Sequence, residues 1–192
     1  MPNADEQGRT SGRRLMLLRH AEAAYGHPGV SDHDAPLSEV GSGAARRLGG
    51  YLAECGYRPT HVWCSSARRA QETLAQIAPR LVAAPRVSVR TELYLASPRT
   101  LIAHIEESPA EATALLVVGH NPGIGTLAHS FSQGAAPDVR DRIQQGFPPA
   151  AFASFTSPAS TWGAFEDDRA LLDFVVPLDL VGRGEEGEGP VP

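Results

Sequence analysis

Short apolar runs alternate along the chain with segments whose apolar residues recur every three or four positions. LMLL at 15–18, HVWC at 61–64, LLVV at 115–118 and DFVV at 173–176 have strand length and near-continuous apolar character. Such runs predict central strands buried on both faces. Between them, Val40, Ala44, Leu48 and Leu52 follow Ser38, while Leu74, Ile77 and Leu81 follow Ser66. The spacing predicts two helices, with each serine as an N-cap. Ser97-Pro98 predicts a further helix start, because proline suits the first helical position, and this helix carries Leu101, Ile102 and Ile105. A last helix is predicted from about Pro122, burying Ile124, Leu127 and Phe131, and AFASF at 151–155 alternates like a strand near an edge. Strands alternating with helices give an α/β fold of three layers, α/β/α, around a central, mostly parallel sheet.

The ends of the chain break this pattern. Residues 1–12 are polar and contain glycine, and 181–192 is acidic and Gly-rich. Both are expected to be disordered flanks of one domain over 13–180. A chain of 192 residues, 42% of them hydrophobic, suits one core better than two. The N-terminal segment lacks the apolar core of a signal peptide, and no run approaches the roughly 18 apolar residues of a membrane helix, so a cytoplasmic location is expected.

Charge narrows the choice of partner. A formal net charge of −5 argues against nucleic acid and against a membrane surface, so any anion site has to be local. All seventeen basic residues are arginine, a composition that by itself carries no functional conclusion. Cys55 and Cys64 form no CxxC pair. They are expected to be reduced, buried, small hydrophobes rather than a disulfide or a metal knuckle.

The polar residues that interrupt the pattern fall at strand ends. Arg19-His20 follows the first apolar run, Ser65 to Arg69 the second, and Gly119-His120-Asn121 follows LLVV. In open α/β sheets the ligand site lies beyond the carboxyl ends of the strands, so these distant groups converge on one pocket. Two imidazoles and two guanidiniums there would make a compact cationic site for a dianion within an acidic protein. A neutral imidazole can attack phosphorus and form a phosphohistidine that water later cleaves. Arginine offers a planar, permanently charged fork matched to phosphoryl oxygens.

These segments also resemble a known family. LLRHAEA at 17–23 is similar to the first motif of the histidine phosphatase (phosphoglycerate-mutase-like) superfamily, with Ala21 where glycine is usual. SSARRAQETL at 65–74 resembles its second motif, with Glu72 where glutamine is usual, and VVGHNPGI at 117–124 resembles its third. The alanine exchange, the GHNPG form and PLSEVG at 36–41 are most similar to the SixA branch, the phosphohistidine phosphatases. The resemblance implies a phosphoglycerate-mutase-like fold with a minimal cap, His20 as nucleophile, Arg19 and Arg69 on the phosphoryl oxygens, and His120 as second pocket imidazole, protonated against a bound dianion. It implies no cofactor and no metal.

Arg68 and Arg69 need separating. The motif arginine is the fifth residue counted from Ser65, which is Arg69, and on a helix Arg68 would point about 100° away, toward the rim or surface. Glu92, in ELYLA, is the best-placed carboxylate for a general acid, against an equal reading as a surface residue beginning a loop. Asp32, His33 and Asp34 are read as a polar loop in preference to a metal site, with His27 and His33 as pocket-rim candidates. His61, His104 and His129 are read as structural.

The short stretch from Tyr94 to Leu115 leaves little room for a large cap, so an open pocket is expected. The reading is thus a phosphoric monoester or phosphohistidine hydrolase, most similar to SixA, acting on a phosphorylated protein. The alternatives are a phosphatase of small phosphometabolites (a phosphosugar or phosphonucleoside) and, from another class, a catalytically weak phosphate-binding or interaction module.

Overall fold

Alternation within the strands decides how the layers form. The computed structural model describes residues 12–26, 28–166 and 169–181. The segments expected to be disordered, apart from Gly12 and Val181, lie outside the described residues, as does His27. Six strands make one sheet: β1 (Arg13–Arg19), β2 (His61–Ser65), β3 (Arg86–Arg90), β4 (Ala114–Gly119), β5 (Phe152–Ser157) and β6 (Ala170–Val175), in the order β3-β2-β4-β1-β5-β6. β3, β2, β4 and β1 are mutually parallel, and β5 and β6 are added antiparallel.

Successive side chains point to opposite faces of a strand. Leu15, Leu17, Trp63, Leu115 and Val117 therefore build one core, covered by α3 (Pro98–Glu106), α4 (Gly123–Phe131) and α5 (Pro137–Gln145). Met16, Leu18, Val62, Leu116 and Val118 build the other, covered by α1 (Glu39–Glu54) and α2 (Arg68–Ile77). The result is the predicted α/β/α sandwich. No helix among the described residues is long and apolar enough to cross a membrane.

Several local expectations need correction. The alternating AFASF segment forms β5, an interior strand buried on both faces between β1 and β6. The apolar run at 173–176, expected to be central, ends the edge strand β6, whose first residues alternate between exposed and half-buried. Ser38 caps α1, its side chain accepting from the Gly41 amide, and Ser97 caps α3 in the same way. Ser66 does not cap α2: Ala67 takes that position, and the Ser66 hydroxyl pairs with His33 Nε2 at 2.9 Å. Val40 is exposed, because α1 turns Gly41, Ala44, Ala45, Leu48, Gly49 and Leu52 inward instead. Cys64 is buried but Cys55 is exposed. Helix α5 had no apolar signal to announce it, since it buries only Ile143.

Close packing holds the segment after β1 in place. A Cβ on Gly41 would fall 2.1 Å from the Glu22 carbonyl oxygen, so only glycine lets α1 approach this backbone. The Ser38 amide donates to that same carbonyl at 2.9 Å. Ala21, fully buried, donates its amide to Thr73 Oγ1 at 2.9 Å, and that hydroxyl donates to the Arg69 carbonyl at 2.6 Å. The residues beside His20 are thereby tied to the first turns of both α1 and α2.

Candidate active site

Three neighbouring parallel strands end at one place. β1 and β4 pair in register, Arg19 opposite Gly119, and the His20 amide donates to the Gly119 carbonyl at 3.0 Å. His20 and His120 therefore leave adjacent strand ends side by side, with ring centroids 4.9 Å apart. Both are buried, at 5% and 2% exposure. From the end of β2, Ser65 Oγ reaches His120 Nε2 at 2.7 Å. Arg69, on the first turn of α2 and 2% exposed, donates its Nε to His20 Nε2 at 3.3 Å. Arg68 lies outside, exposed and paired with Glu72 at 2.7 Å, as the helical register predicts.

The hydrogen bonds fix the state of the His20 ring. Nδ1 lies 2.7 Å from the Ala21 carbonyl oxygen, which can only accept, so Nδ1 carries the hydrogen. Nε2 then keeps its lone pair, and it is this atom that faces Arg69. Burial pushes the His20 imidazole down to about 4, with Arg69 and Arg19 adding to the effect. The nucleophile candidate is thus neutral, with its free nitrogen aimed at a guanidinium.

His120 complements it. Burial, then His20 and Arg69, push it down to about 3, so it is neutral in the ligand-free protein, and a bound dianion would reverse that push. Ser65 Oγ accepts from the Ala67 amide at 3.3 Å and can give its own hydrogen to His120 Nε2. In that arrangement the proton sits on His120 Nδ1, which is buried and has no partner among the described residues. A phosphoryl oxygen would supply one.

Arg19 is half-buried, its Nη1 donating to the Phe147 carbonyl at 2.9 Å, and burial lowers its pKa. It stands at the wall of a cleft of about 440 Å³ that also includes Asn121, Arg142, Gln145, Phe147 and Phe174.

The structure does not bring Glu92 to this cluster. It is exposed on the short 3-10 turn Thr91–Leu93, and its carboxyl is held below the ordinary range by its own backbone amide and Thr91, with Arg90 and His104 adding to the effect. A general acid needs the opposite shift. The carboxylate that does reach the site is Asp32, bonded to Arg69 and to the Tyr94 hydroxyl. The sequence pattern assigns Asp32 to a polar loop and gives Tyr94 no role. The available signal was position: Asp32 falls between the first motif and α1, and Tyr94 two residues beyond the suspected acid. His33 sits at the rim, edge-on to Tyr94 with centroids 4.9 Å apart. His104 contacts Arg90 and Glu107 away from the cluster, and His61 bonds Thr60. No group of three or more His, Cys, Asp or Glu among the described residues is arranged to hold a metal ion.

A mixed sheet whose parallel strands gather two neutral imidazoles and a buried guanidinium at their carboxyl ends defines a class: phosphoryl-transfer enzymes with the phosphoglycerate-mutase-like fold. The profile of the histidine phosphatase superfamily (branch 1) matches residues 15–93. An uncharacterized protein of Mycobacterium tuberculosis is 37% identical over 163 residues, covering 83% of this chain and 99% of its own length. Among solved structures, a candidate phosphohistidine phosphatase SixA from Agrobacterium tumefaciens is 26% identical with a TM-score of 0.73, covering 86% of this chain and 98% of its own. Its counterpart from Nakamurella multipartitia is 29% identical, again with a TM-score of 0.73, covering 87% and 97%. The chain belongs to the histidine phosphatase superfamily, and it is a phosphatase.

Proposed function

We propose that the single domain over 13–180 removes the phosphoryl group from phosphohistidine on a protein, through a phospho-His20 intermediate and without a metal. The observation that carries this is the state of His20: Nδ1 is committed to the Ala21 carbonyl, and Nε2 is unprotonated beside Arg69. The Nε2 lone pair forms the new P–N bond while the bond to the leaving group breaks, and that group keeps the electron pair. Arg69, Arg19 and His120 stabilise charge on the three equatorial oxygens. Water then attacks phospho-His20, releasing inorganic phosphate and restoring the imidazole.

Similarity to SixA structures supports phosphohistidine as the substrate. The cleft beside Arg19 favours a second reading, a small phosphometabolite whose leaving group lies against Phe147 and Phe174.

The test is to quench turnover with labelled phosphohistidine protein, map the phosphate, and compare rates with a panel of phosphosugars and phosphonucleosides in excess chelator. Acid-labile label on His20, absent in His20→Ala, with preference for phosphohistidine, is expected. Label on Ser65 or Ser66, or activity abolished by chelation, refutes the mechanism, and preference for a phosphometabolite selects the second reading.

A further inference from the structure

The loop between β1 and α1 places a carboxylate over a site built to bind anions. Asp32 Oδ2 accepts from Arg69 Nη2 at 2.9 Å and from the Tyr94 hydroxyl at 2.5 Å, and the Asp32 carbonyl accepts from Arg69 Nη1. The same guanidinium that turns its Nε to His20 thus turns its other end to Asp32. Tyr94 packs edge-on against His120, centroids 5.4 Å apart, which closes the circuit from the pocket floor to its mouth. The Asp32 side chain is 53% exposed, so its carboxylate is open to solvent beside the buried Arg69.

A negative charge here opposes phosphate binding, and Asp32 cannot act as a general acid in exchange. The Tyr94 hydroxyl, and then Arg69, hold its carboxyl below the usual range, so it carries no proton to give. An ionised carboxylate at this point can only accept a hydrogen bond. The useful donor would belong to the substrate.

Phosphohistidine has such a donor. If the ring nitrogen not bonded to phosphorus is unprotonated, breaking the P–N bond expels an imidazolate, a very poor leaving group. If that nitrogen carries a proton, the ring takes the P–N electron pair and leaves as neutral imidazole, keeping its N–H. No further reactant is needed. We infer that Asp32, held by Tyr94 and Arg69, is a specificity-determining residue that accepts the distal N–H of a phosphoimidazolium leaving group and so selects phosphoramidates of imidazole over phosphate esters. Esters gain no direct hydrogen bond from this carboxylate, because an alkoxide has no N–H to offer it and needs a proton that Asp32 does not hold.

The inference rests on the phosphohistidine reading, and one pair of substrates separates the two. Phosphoimidazole and an activated aryl phosphate are assayed with wild type, Asp32→Asn and Tyr94→Phe. Asp32→Asn is expected to lower kcat/KM for phosphoimidazole about 10- to 100-fold more than for the aryl phosphate, the worth of a hydrogen bond to a charged group, whatever loss through Arg69 the two substrates share. Tyr94→Phe should shift selectivity the same way by less. Equal losses on both substrates would reduce Asp32 to a positioning residue for Arg69, and a gain on phosphoimidazole would make it an obstructing anion; either overturns the inference while leaving the phosphohistidine reading intact. Failure of the wild type to cleave phosphoimidazole overturns both.

Discussion

Two imidazoles buried in neutral form make stability depend on pH, and the dependence can be worked out for His20. Burial, helped by Arg69 and Arg19, pushes it down to about 4, against about 6.5 in an unfolded chain. As pH falls the unfolded state takes up this proton first. The contribution is fully present above about pH 6.5, is lost progressively toward about pH 4, and falls no further below that. At about pH 4.5 the unequal proton uptake amounts to roughly 2 to 3 kcal/mol of lost stability. His20→Asn keeps a polar side chain of similar size and removes the titration. Urea unfolding of both proteins at pH 7.5 and 4.5 separates the term from the carboxylates, which contribute to each, while His120, relieved of His20 in the variant, widens the difference in the same direction. Wild type should lose about 2 kcal/mol more than the variant on acidification. Equal losses, or a larger loss in the variant, would mean that the folded protein accommodates a charged His20, and the downward push of burial on its imidazole would be refuted.

Two further outcomes test the assignment of neighbouring charges. Arg69→Ala should remove about 2 to 4 kcal/mol of transition-state stabilisation in kcat/KM, while Arg68→Ala, which breaks only an exposed pair with Glu72, should change it little; comparable losses would refute the register that points Arg69 inward. Glu92→Gln should leave kcat/KM for alkyl phosphates essentially unchanged, and a selective loss of about 100-fold would return Glu92 to the role of general acid.

What the sequence made legible follows from how locally each feature is determined. β1, β2 and β4 are continuous apolar runs each ending in a polar motif, so both their burial and the convergence of His20, Arg69 and His120 could be read along the chain. Arg69 was separable from Arg68 because a helix fixes the angle between consecutive residues. The reversal of β5 and β6 was not legible: alternation marks one-sided burial only when a strand's other face meets water, and β5 has core on both faces because β6 and the flanking helices enclose it. Asp32 and Tyr94 were hidden for a different reason. Neither belongs to a strand end or a periodic face, and they meet only because the loop after β1 folds back over Arg69 while the turn after β3 brings Tyr94 beneath it. His20, Arg69 and His120 are set by strand ends and the turns that follow them directly, whereas Asp32 and Tyr94 are set by loops. The family could therefore be read from the motifs, while the carboxylate bound to Arg69 lies in a loop that no motif contains.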